Sequence, residues 1–233
     1  MIDPGKLVST LKSIAPFTPV PDPILTELIA HSNLCAYRAP SIIFHQGDRS
    51  DAVYVVLKGR VQVFSESSDG NLVLHRVLEQ AHMFGEMGPL DQRPRIASAR
   101  PAPQADLLAI PGSKFVGLLE QHAHAALGLA KMLAERLRAH SQLFEDAVFL
   151  CARDRLGRLL VEQARAAAPG QLKVLLADVT HDLLAGMLGL HRVTVTNQMR
   201  HLERLGFIEL RRASVVVLDT DGLEELCSSG ASR

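Results

Sequence analysis

The segment from Val179 to Leu210 constrains the fold more than any other part of the chain. Apolar residues recur in its first half at the spacing of one helix face, and Gly189 follows them where a glycine commonly ends a helix. A second periodic run begins near His191, with Val195 and Met199 on its inner face. The spacing predicts two short helices joined by a tight turn, as in helix-turn-helix proteins that read DNA with the second helix.

The outward positions of this predicted motif carry side chains suited to DNA. An arginine such as Arg192 can form a bidentate pair with guanine, and hydroxyl or amide groups bond phosphates and base edges. Gly206 then interrupts the helical pattern, and two short apolar runs around Arg211-Arg212 predict a β-hairpin wing with a basic tip. The candidate DNA-binding residues are Thr180, His181, His191, Arg192, Val193, Thr194, Thr196, Asn197, Arg211 and Arg212.

Charge and length limit how the chain can bind DNA. The 233 residues carry a formal net charge of zero, so no global field draws the protein to nucleic acid. Between Val179 and Arg212, five arginines oppose three acidic residues, a local excess of two positive charges. The chain is long enough for two domains, and its 47% hydrophobic residues are enough to form their cores. We therefore expect local contacts, doubled in a dimer on a palindromic operator of double-stranded DNA.

The stretch from about Ala39 to Ala109 has a different pattern. Short Val- and Leu-rich runs alternate with turn signals, among them Lys58-Gly59 and Asp69-Gly70, the second of which favours a hairpin. The predicted strands are Tyr54–Leu57, Val61–Phe64 and Leu72–His75. Strands at this spacing predict a barrel or roll, and a closed roll can enclose a small ligand.

A long helix is predicted between these two regions, since no proline follows Pro111 until after Phe149. Its apolar stripe consists of Leu129, Leu133, Leu137, Phe144 and Val148. One small roll cannot cover a stripe of this length. We therefore expect the helix to pair with the same helix of a second chain, making the protein a homodimer.

Other classes of protein find little support in the sequence. The three cysteines, Cys35, Cys151 and Cys227, are too far apart to frame disulfides or a metal cluster, so no metal is expected. The ten histidines are scattered and form no catalytic constellation, which argues against an enzyme. No apolar run reaches the length of a membrane span, and the N-terminus lacks a signal-peptide core. We expect a cytoplasmic protein with no membrane partner.

The order of roll, long helix and winged helix-turn-helix resembles the bacterial CRP/FNR family of transcription regulators over nearly the whole chain. The resemblance is carried by Gly47, Gly59 and Gly70 in the roll, by the stretch Phe84–Arg100 (FGEMGPLDQRPRIASAR), and by the helix-turn-helix. It implies an α+β fold with a β-roll of the cyclic nucleotide-binding type and N-terminal helices in residues 1–120, a dimerisation helix in residues 121–149, and a winged helix-turn-helix in residues 150–233. It also implies a sequence-specific transcription regulator, with RNA polymerase as a further partner if the protein is an activator.

The resemblance also implies a ligand for the roll. In relatives that bind cyclic nucleotides, the glycine matching Gly85 donates a backbone N–H, the glutamate matching Glu86 accepts from the ribose, and the arginine matching Arg95 pairs with the cyclic phosphate. Cyclic AMP or cyclic GMP is therefore the first expectation. The candidate effector-binding residues are Gly85, Glu86, Met87, Arg95, Ile96, Ala97, His140 and Ser141.

Two departures from the family pattern bear on these expectations. Ile96 stands where relatives carry a serine or threonine that bonds the phosphate, and loss of such a bond weakens binding about 10- to 100-fold. On the recognition helix, Val193 and Asn197 replace the glutamate and second arginine of relatives that read TGTGA-like half-sites. Because valine packs on a thymine methyl and asparagine suits adenine, a different operator sequence is expected.

Three alternatives keep the fold and differ in the ligand of the roll. The roll could sense haem or a gas through residues such as His75, His82 or Cys35. It could bind another nucleotide, such as a cyclic dinucleotide. It could also serve only as a scaffold for a dimer that binds DNA without any effector, an alternative that Ile96 favours.

Overall fold

A computed structural model describes residues 3–66, 72–177 and 179–229, and within them the chain forms two compact units. The first takes in the described residues of Met1–Asp69 and His75–Arg138, and the second those of Gly70–Leu74 and Ala139–Arg233. None of the described helices is long and apolar enough to cross a membrane. The two boundaries between the three domains expected from the sequence stay predictions.

The first unit is an antiparallel sheet flanked by helices. Its elements are α1 (Pro4–Lys12), α2 (Asp22–Ala30), β1 (Asn33–Arg38), β2 (Ala52–Glu66), β3 (Leu72–Leu78), β4 (Met83–Phe84), α3 (Met87–Asp91), β5 (Ser98–Pro111), α4 (Gly112–Gln121) and the beginning of α5 (Ala123–Phe149). The strand order is β1-β5-β2-β3, and β4 pairs with β2. Strands β1, β2 and β4 all make antiparallel pairs, which is the sheet of the predicted roll.

Two apolar clusters hold this unit together, one on each side of the sheet. Helices α1, α2, α4 and the first turns of α5 pack on one side, where the rings of Phe17 and Phe115 meet at 6.0 Å. On the other side, Val61, Phe84 and Leu107 are buried within the roll. Alternate residues of β2 thus supply both clusters, which explains its Val-rich composition.

The predicted turn at Lys58-Gly59 is wrong. Strand β2 runs through it without a break, and its pairing with β5 shifts register there. Gly59 has φ +81°, and a Cβ at this position would lie 2.1 Å from the carbonyl oxygen of Gln104. The glycine therefore marks a bulge where two strands approach closely. The hairpin predicted at Asp69-Gly70 lies outside the described residues.

The predicted long helix is α5, whose 27 residues change surroundings along its length. Leu129 is buried and Leu133 is partly buried against the first unit's core. Further along, Leu137, Phe144 and Val148 are exposed in the single chain, at 68%, 70% and 58%. The first part of the apolar stripe thus belongs to the fold of the chain itself, and the second part is uncovered.

The second unit begins with the end of α5 and contains a small sheet among helices. Its further elements are α6 (Ala152–Ala167), β6 (Val174–Ala177), α7 (His181–Leu188), α8 (Arg192–Arg204), β7 (Ile208–Arg211), β8 (Ser214–Val217) and α9 (Thr220–Ser229). The strand order is β6-β8-β7, with antiparallel pairs throughout. Leu160, Leu184, Met199 and Val217 are buried together, so one core joins α6, both helices of the motif and the wing.

We predict that Gly59→Ala lowers the free energy of unfolding of the first unit by about 2–4 kcal/mol, because the left-handed backbone and the contact with Gln104 both disfavour a Cβ. Urea titration followed by tyrosine fluorescence isolates this unit, since the chain has no tryptophan and both tyrosines, Tyr37 and Tyr54, lie on its strands. Gly117→Ala is the control, because nothing lies within 4 Å of its Cβ position. Equal stability of Gly59→Ala and the wild type would contradict the bulge assignment.

Candidate nucleic-acid interface and effector pocket

The turn between α7 and α8 is built by residues that end and begin helices. Thr180 caps α7, its Oγ1 accepting from the backbone N–H of Leu183 at 3.1 Å. Gly189 ends α7 in the left-handed conformation, with φ +60°. His191 is the N-cap of α8 and is exposed, without a side-chain capping bond. The helices and the turn predicted from the sequence are confirmed.

Helix α8 has a fully buried face and an exposed face. Val195 and Met199 are buried, as the periodicity predicts. Arg192, Val193 and Asn197 are exposed at the N-terminal end of the helix, with Val193 exposed to 71%. Thr194 is half-buried between these faces. Val193 can make an apolar contact with a thymine methyl, and Arg192 and Asn197 can form hydrogen bonds with base edges.

Two side-chain contacts connect the beginning of α7 to the exposed side of α8. The Nδ1 atom of His181 lies 2.9 Å from Oγ1 of Thr196, at hydrogen-bond distance. The Nε atom of Arg192 lies 3.4 Å from Oδ1 of Asp182, an ion-pair contact. Two of the predicted DNA-binding residues thus bond each other, and a third contacts an acidic residue that the sequence did not single out.

The wing is the predicted hairpin of β7 and β8, but its two arginines differ. The Nε of Arg211 donates to Oε1 of Glu209 at 2.8 Å, and this hydrogen bond raises the pKa of Arg211. Arg212 is exposed at the turn, and no side-chain partner is found for it among residues 3–66, 72–177 and 179–229. Arg212 can therefore reach a phosphate without giving up an existing bond.

In the roll, Glu86 is a buried carboxylate held by the long helix. Glu86 lies two residues after the end of β4, and only 3% of its surface is exposed. The Nη1 of Arg136, on α5, donates to Oε1 of Glu86 at 2.5 Å, and Nη2 of Arg136 donates to the carbonyl of Met83 at 2.6 Å. Oε2 of Glu86 is buried and has no partner within the described parts of the chain. One acceptor therefore remains open beside a fixed ion pair.

The guanidinium of Arg95 lies against Gly85, the residue before Glu86. Its Nη1 donates to the carbonyl of Gly85 and its Nη2 to that of Ala52, both at 2.7 Å, and its guanidinium lies 4.2 Å from the ring centre of Phe44. A Cβ on residue 85 would lie 2.5 Å from Nη1 of Arg95, so only glycine allows this approach. Burial lowers the pKa of Arg95 from its ordinary value, although nearby Tyr54 acts to raise it.

The other predicted effector residues have mixed surroundings. Ala97 is buried, whereas Met87 is exposed and Ile96 is 63% exposed. His140 and Ser141 are exposed residues of α5 and belong to the second unit. No group of three or more residues able to hold a metal ion occurs in the part of the chain that the structure describes.

Both halves of the chain match known protein families. The cyclic nucleotide-binding domain family matches residues 34–122, and the Crp-like helix-turn-helix domain family matches residues 154–226. A cyclic AMP receptor protein from Thermus thermophilus is 31% identical over 184 residues, which are 79% of this chain and 83% of that protein. The chain belongs to the CRP/FNR family. It is a DNA-binding transcription regulator with a cyclic nucleotide-binding domain, as its sequence indicates.

Other members of the CRP/FNR family extend this comparison. The cAMP-activated global transcriptional regulator Vfr from Pseudomonas aeruginosa is 26% identical over 204 residues, covering 84% of this chain and 94% of that protein. The structure of the c-di-GMP responsive regulator CLP from Xanthomonas campestris aligns with a TM-score of 0.74 at 23% identity, over 84% of this chain and 99% of CLP. The likeness to CLP concerns the fold.

Sequence reasoning missed the two arginines near Glu86. Arg136 lies four residues before His140, on the helical segment that the resemblance had already singled out, and this spacing is the signal that could have found it. Arg76, on β3, has a buried Nη1 without a partner among the described residues. Burial, and secondarily the charge of Arg136, lower the pKa of Arg76. Glu86 thus lies in an excess of positive charge.

We predict that Arg136→Ala lowers the free energy of unfolding of the first unit by about 3 kcal/mol, because it leaves the carboxylate of Glu86 buried and unpaired. Adding Glu86→Gln to this variant should restore part of the loss, since the remaining group is then neutral. Urea titration by tyrosine fluorescence measures both changes. Arg138→Ala, an exposed position two residues away, is the control. An Arg136→Ala protein as stable as its control would show that the pair does not support the fold.

Proposed function

We propose that this CRP/FNR-family regulator binds a palindromic operator as a homodimer and that a cyclic nucleotide in the roll controls this binding. The observation that carries the proposal is the state of Glu86. One of its oxygens is fixed by Arg136, and the other, Oε2, is a buried acceptor without a partner among the described residues. A buried carboxylate oxygen in this state favours a ligand that brings a hydroxyl donor.

The chemistry of the neighbouring groups fits a cyclic nucleotide, which supplies a ribose hydroxyl and an anionic phosphate. Glu86 would accept from the hydroxyl, and Gly85 exposes backbone that a ligand can approach closely. Arg95 keeps a buried Nε–H that has no partner in the described chain, and its positive charge favours an anion. Ile96 supplies no hydroxyl to the phosphate, so weaker binding than in relatives with serine or threonine is expected.

A route from ligand to DNA follows from the position of Arg136. The residue that fixes Glu86 lies on α5, the same helix that carries the exposed apolar residues Leu137 and Phe144. A hydroxyl that bonds Glu86 changes how strongly its carboxylate attracts Arg136. The ligand can shift the protein toward a DNA-binding state only by binding that state more tightly than the other.

A regulator that needs no effector is the second candidate, and Arg95 favours it. Both Nη atoms of Arg95 already bond backbone carbonyls, and Arg136 already neutralises Glu86. These charges are therefore largely satisfied without a ligand. In this case the roll would serve the dimer as a scaffold.

We predict that calorimetric titration with cyclic AMP or cyclic GMP gives saturable binding that Glu86→Gln weakens at least about 10-fold, because the acceptor for the hydroxyl loses its charge. Glu120→Gln, an exposed position on α4, is the control and should bind as the wild type does. A second variant, Arg95→Ala, removes a positive charge and also two hydrogen bonds to backbone carbonyls. Its binding is therefore compared only if its tyrosine fluorescence shows a folded roll.

The remaining outcomes of this titration separate the alternatives. Binding of cyclic di-GMP alone would replace the mononucleotide with a dinucleotide. Absence of binding at millimolar nucleotide, together with selective DNA binding by the free protein, would establish the effector-independent candidate. A haem-bound form would instead show a Soret band in the purified protein.

We predict that the wild type sediments as a dimer at micromolar concentration and that Phe144→Glu raises the dimer dissociation constant by about 100-fold or more. The change places a charge where two copies of Phe144 would otherwise be buried. Ala139→Glu is the matched control, because Ala139 is exposed on α5 two residues beyond Leu137, about 200° around the helix. A monomeric wild type, or equal effects of both variants, would contradict dimerisation through the α5 stripe.

A further inference from the structure

The first two residues of α7, His181 and Asp182, reach the face of α8 that is exposed to solvent. Asp182 contacts Arg192, and the two side chains stay 65% and 67% exposed. His181 bonds Thr196, which is half-buried at the border of this face, one helical turn further along α8. The N-terminus of α7 and the exposed side of α8 therefore form a single surface. An acidic side chain on such a surface lies close to any phosphate backbone that the surface binds, which disfavours DNA of every sequence.

The atom through which Arg192 contacts Asp182 decides what the arginine can still do. The contact is made by Nε at 3.4 Å, near the stem of the guanidinium. A guanidinium carries five N–H donors in a planar fork, so an engaged Nε leaves donors on the outer Nη atoms. Two parallel donors of this kind match O6 and N7 of guanine. The carboxylate therefore restrains the side chain without occupying the outer groups that would read a base.

We propose that Asp182 is a specificity-determining positioning residue, which holds Arg192 through Nε so that its outer N–H groups face a base in the major groove. This inference rests on the proposed reading of the operator by α8. The restraint lowers the number of orientations that an exposed arginine must give up on binding. Asp182 costs affinity for all DNA through repulsion of phosphate and adds discrimination at one base pair of each half-site.

The proposal predicts opposite changes in two measurable quantities. Asp182→Asn removes the charge and keeps the shape of the side chain. Affinity for non-specific DNA should rise, since one repulsive charge per subunit is lost. Discrimination at the base pair read by Arg192 should fall about two- to fivefold per half-site, the range that exposed ion pairs contribute. A variant that was merely unfolded would lose both quantities together.

The experiment uses the full-length protein and an operator selected from random DNA by the wild type. Competition with single-base variants of that operator measures discrimination, and binding to a scrambled duplex measures non-specific affinity. The variants are Asp182→Asn, Arg192→Ala and the double variant. Asp221→Asn is the matched control, because Asp221 is similarly exposed and contacts Arg165 at 3.5 Å. This pair joins α9 to α6 and does not involve α8.

Each outcome supports or overturns the proposal. Selectivity lost at the same base pair in Asp182→Asn and Arg192→Ala, with no further loss in the double variant, supports it, since the two residues then act together. Unchanged selectivity in Asp182→Asn, or an equal gain of non-specific affinity in Asp221→Asn, overturns it. A wild type that selects no sequence contradicts the proposed operator binding itself, which is a separate result.

Discussion

The ion pair of Glu86 with Arg136 is the interaction on which the proposed use of the roll as a sensor depends. A carboxylate as buried as that of Glu86 is costly to keep charged without a partner. The partner comes from α5, so the roll satisfies its own buried charge only when the first part of α5 is packed against it. The apolar contacts of Leu129 and this ion pair both lie within the first 14 of the 27 residues of α5. A ligand that alters Glu86 therefore acts directly on the helix that carries the uncovered apolar residues.

The same pair limits what any ligand can contribute. Arg136 also donates to the carbonyl of Met83, and both Nη atoms of Arg95 bond carbonyls, so the chain itself already satisfies much of the bonding capacity of these charged groups. A ligand gains little by replacing bonds that already exist. Its binding energy must come from the acceptors and donors left over, chiefly Oε2 of Glu86, Nε of Arg95 and Nη1 of Arg76, and from apolar contact. In the proposed mechanism, differences in these few atoms between the two folded states determine how the equilibrium responds to the ligand.

Local pattern explains which parts of this architecture could be predicted from the sequence. The inward positions of Val195 and Met199 could be predicted from helical periodicity alone. The wing could be predicted from its turn residues and from the short apolar runs on either side of them. Gly59 was misread because a glycine with positive φ is common to turns and bulges, and only the pairing with β5 distinguishes them. The contact of Arg136 with Glu86 joins residues 50 apart, and the contact of Asp182 with Arg192 depends on how two helices cross. The i, i+4 spacing of Arg136 and His140 points only to Arg136 and not to its partner, and no spacing in the sequence points to the contact of Asp182 with Arg192.

The two arginine–carboxylate pairs, Arg136–Glu86 and Arg192–Asp182, show how burial determines the role of an ion pair. Glu86 is buried, so loss of its partner leaves an unpaired charge that destabilises the fold, and the pair supports structure. Around Asp182 water screens both charges, so the pair contributes little to stability. An exposed pair can still restrict the orientations of a flexible side chain, because a weak attraction is sufficient to bias rotamers that are close in energy. Discrimination between bases depends on that orientation, so a contact too weak to stabilise the fold is strong enough to influence which sequence is read.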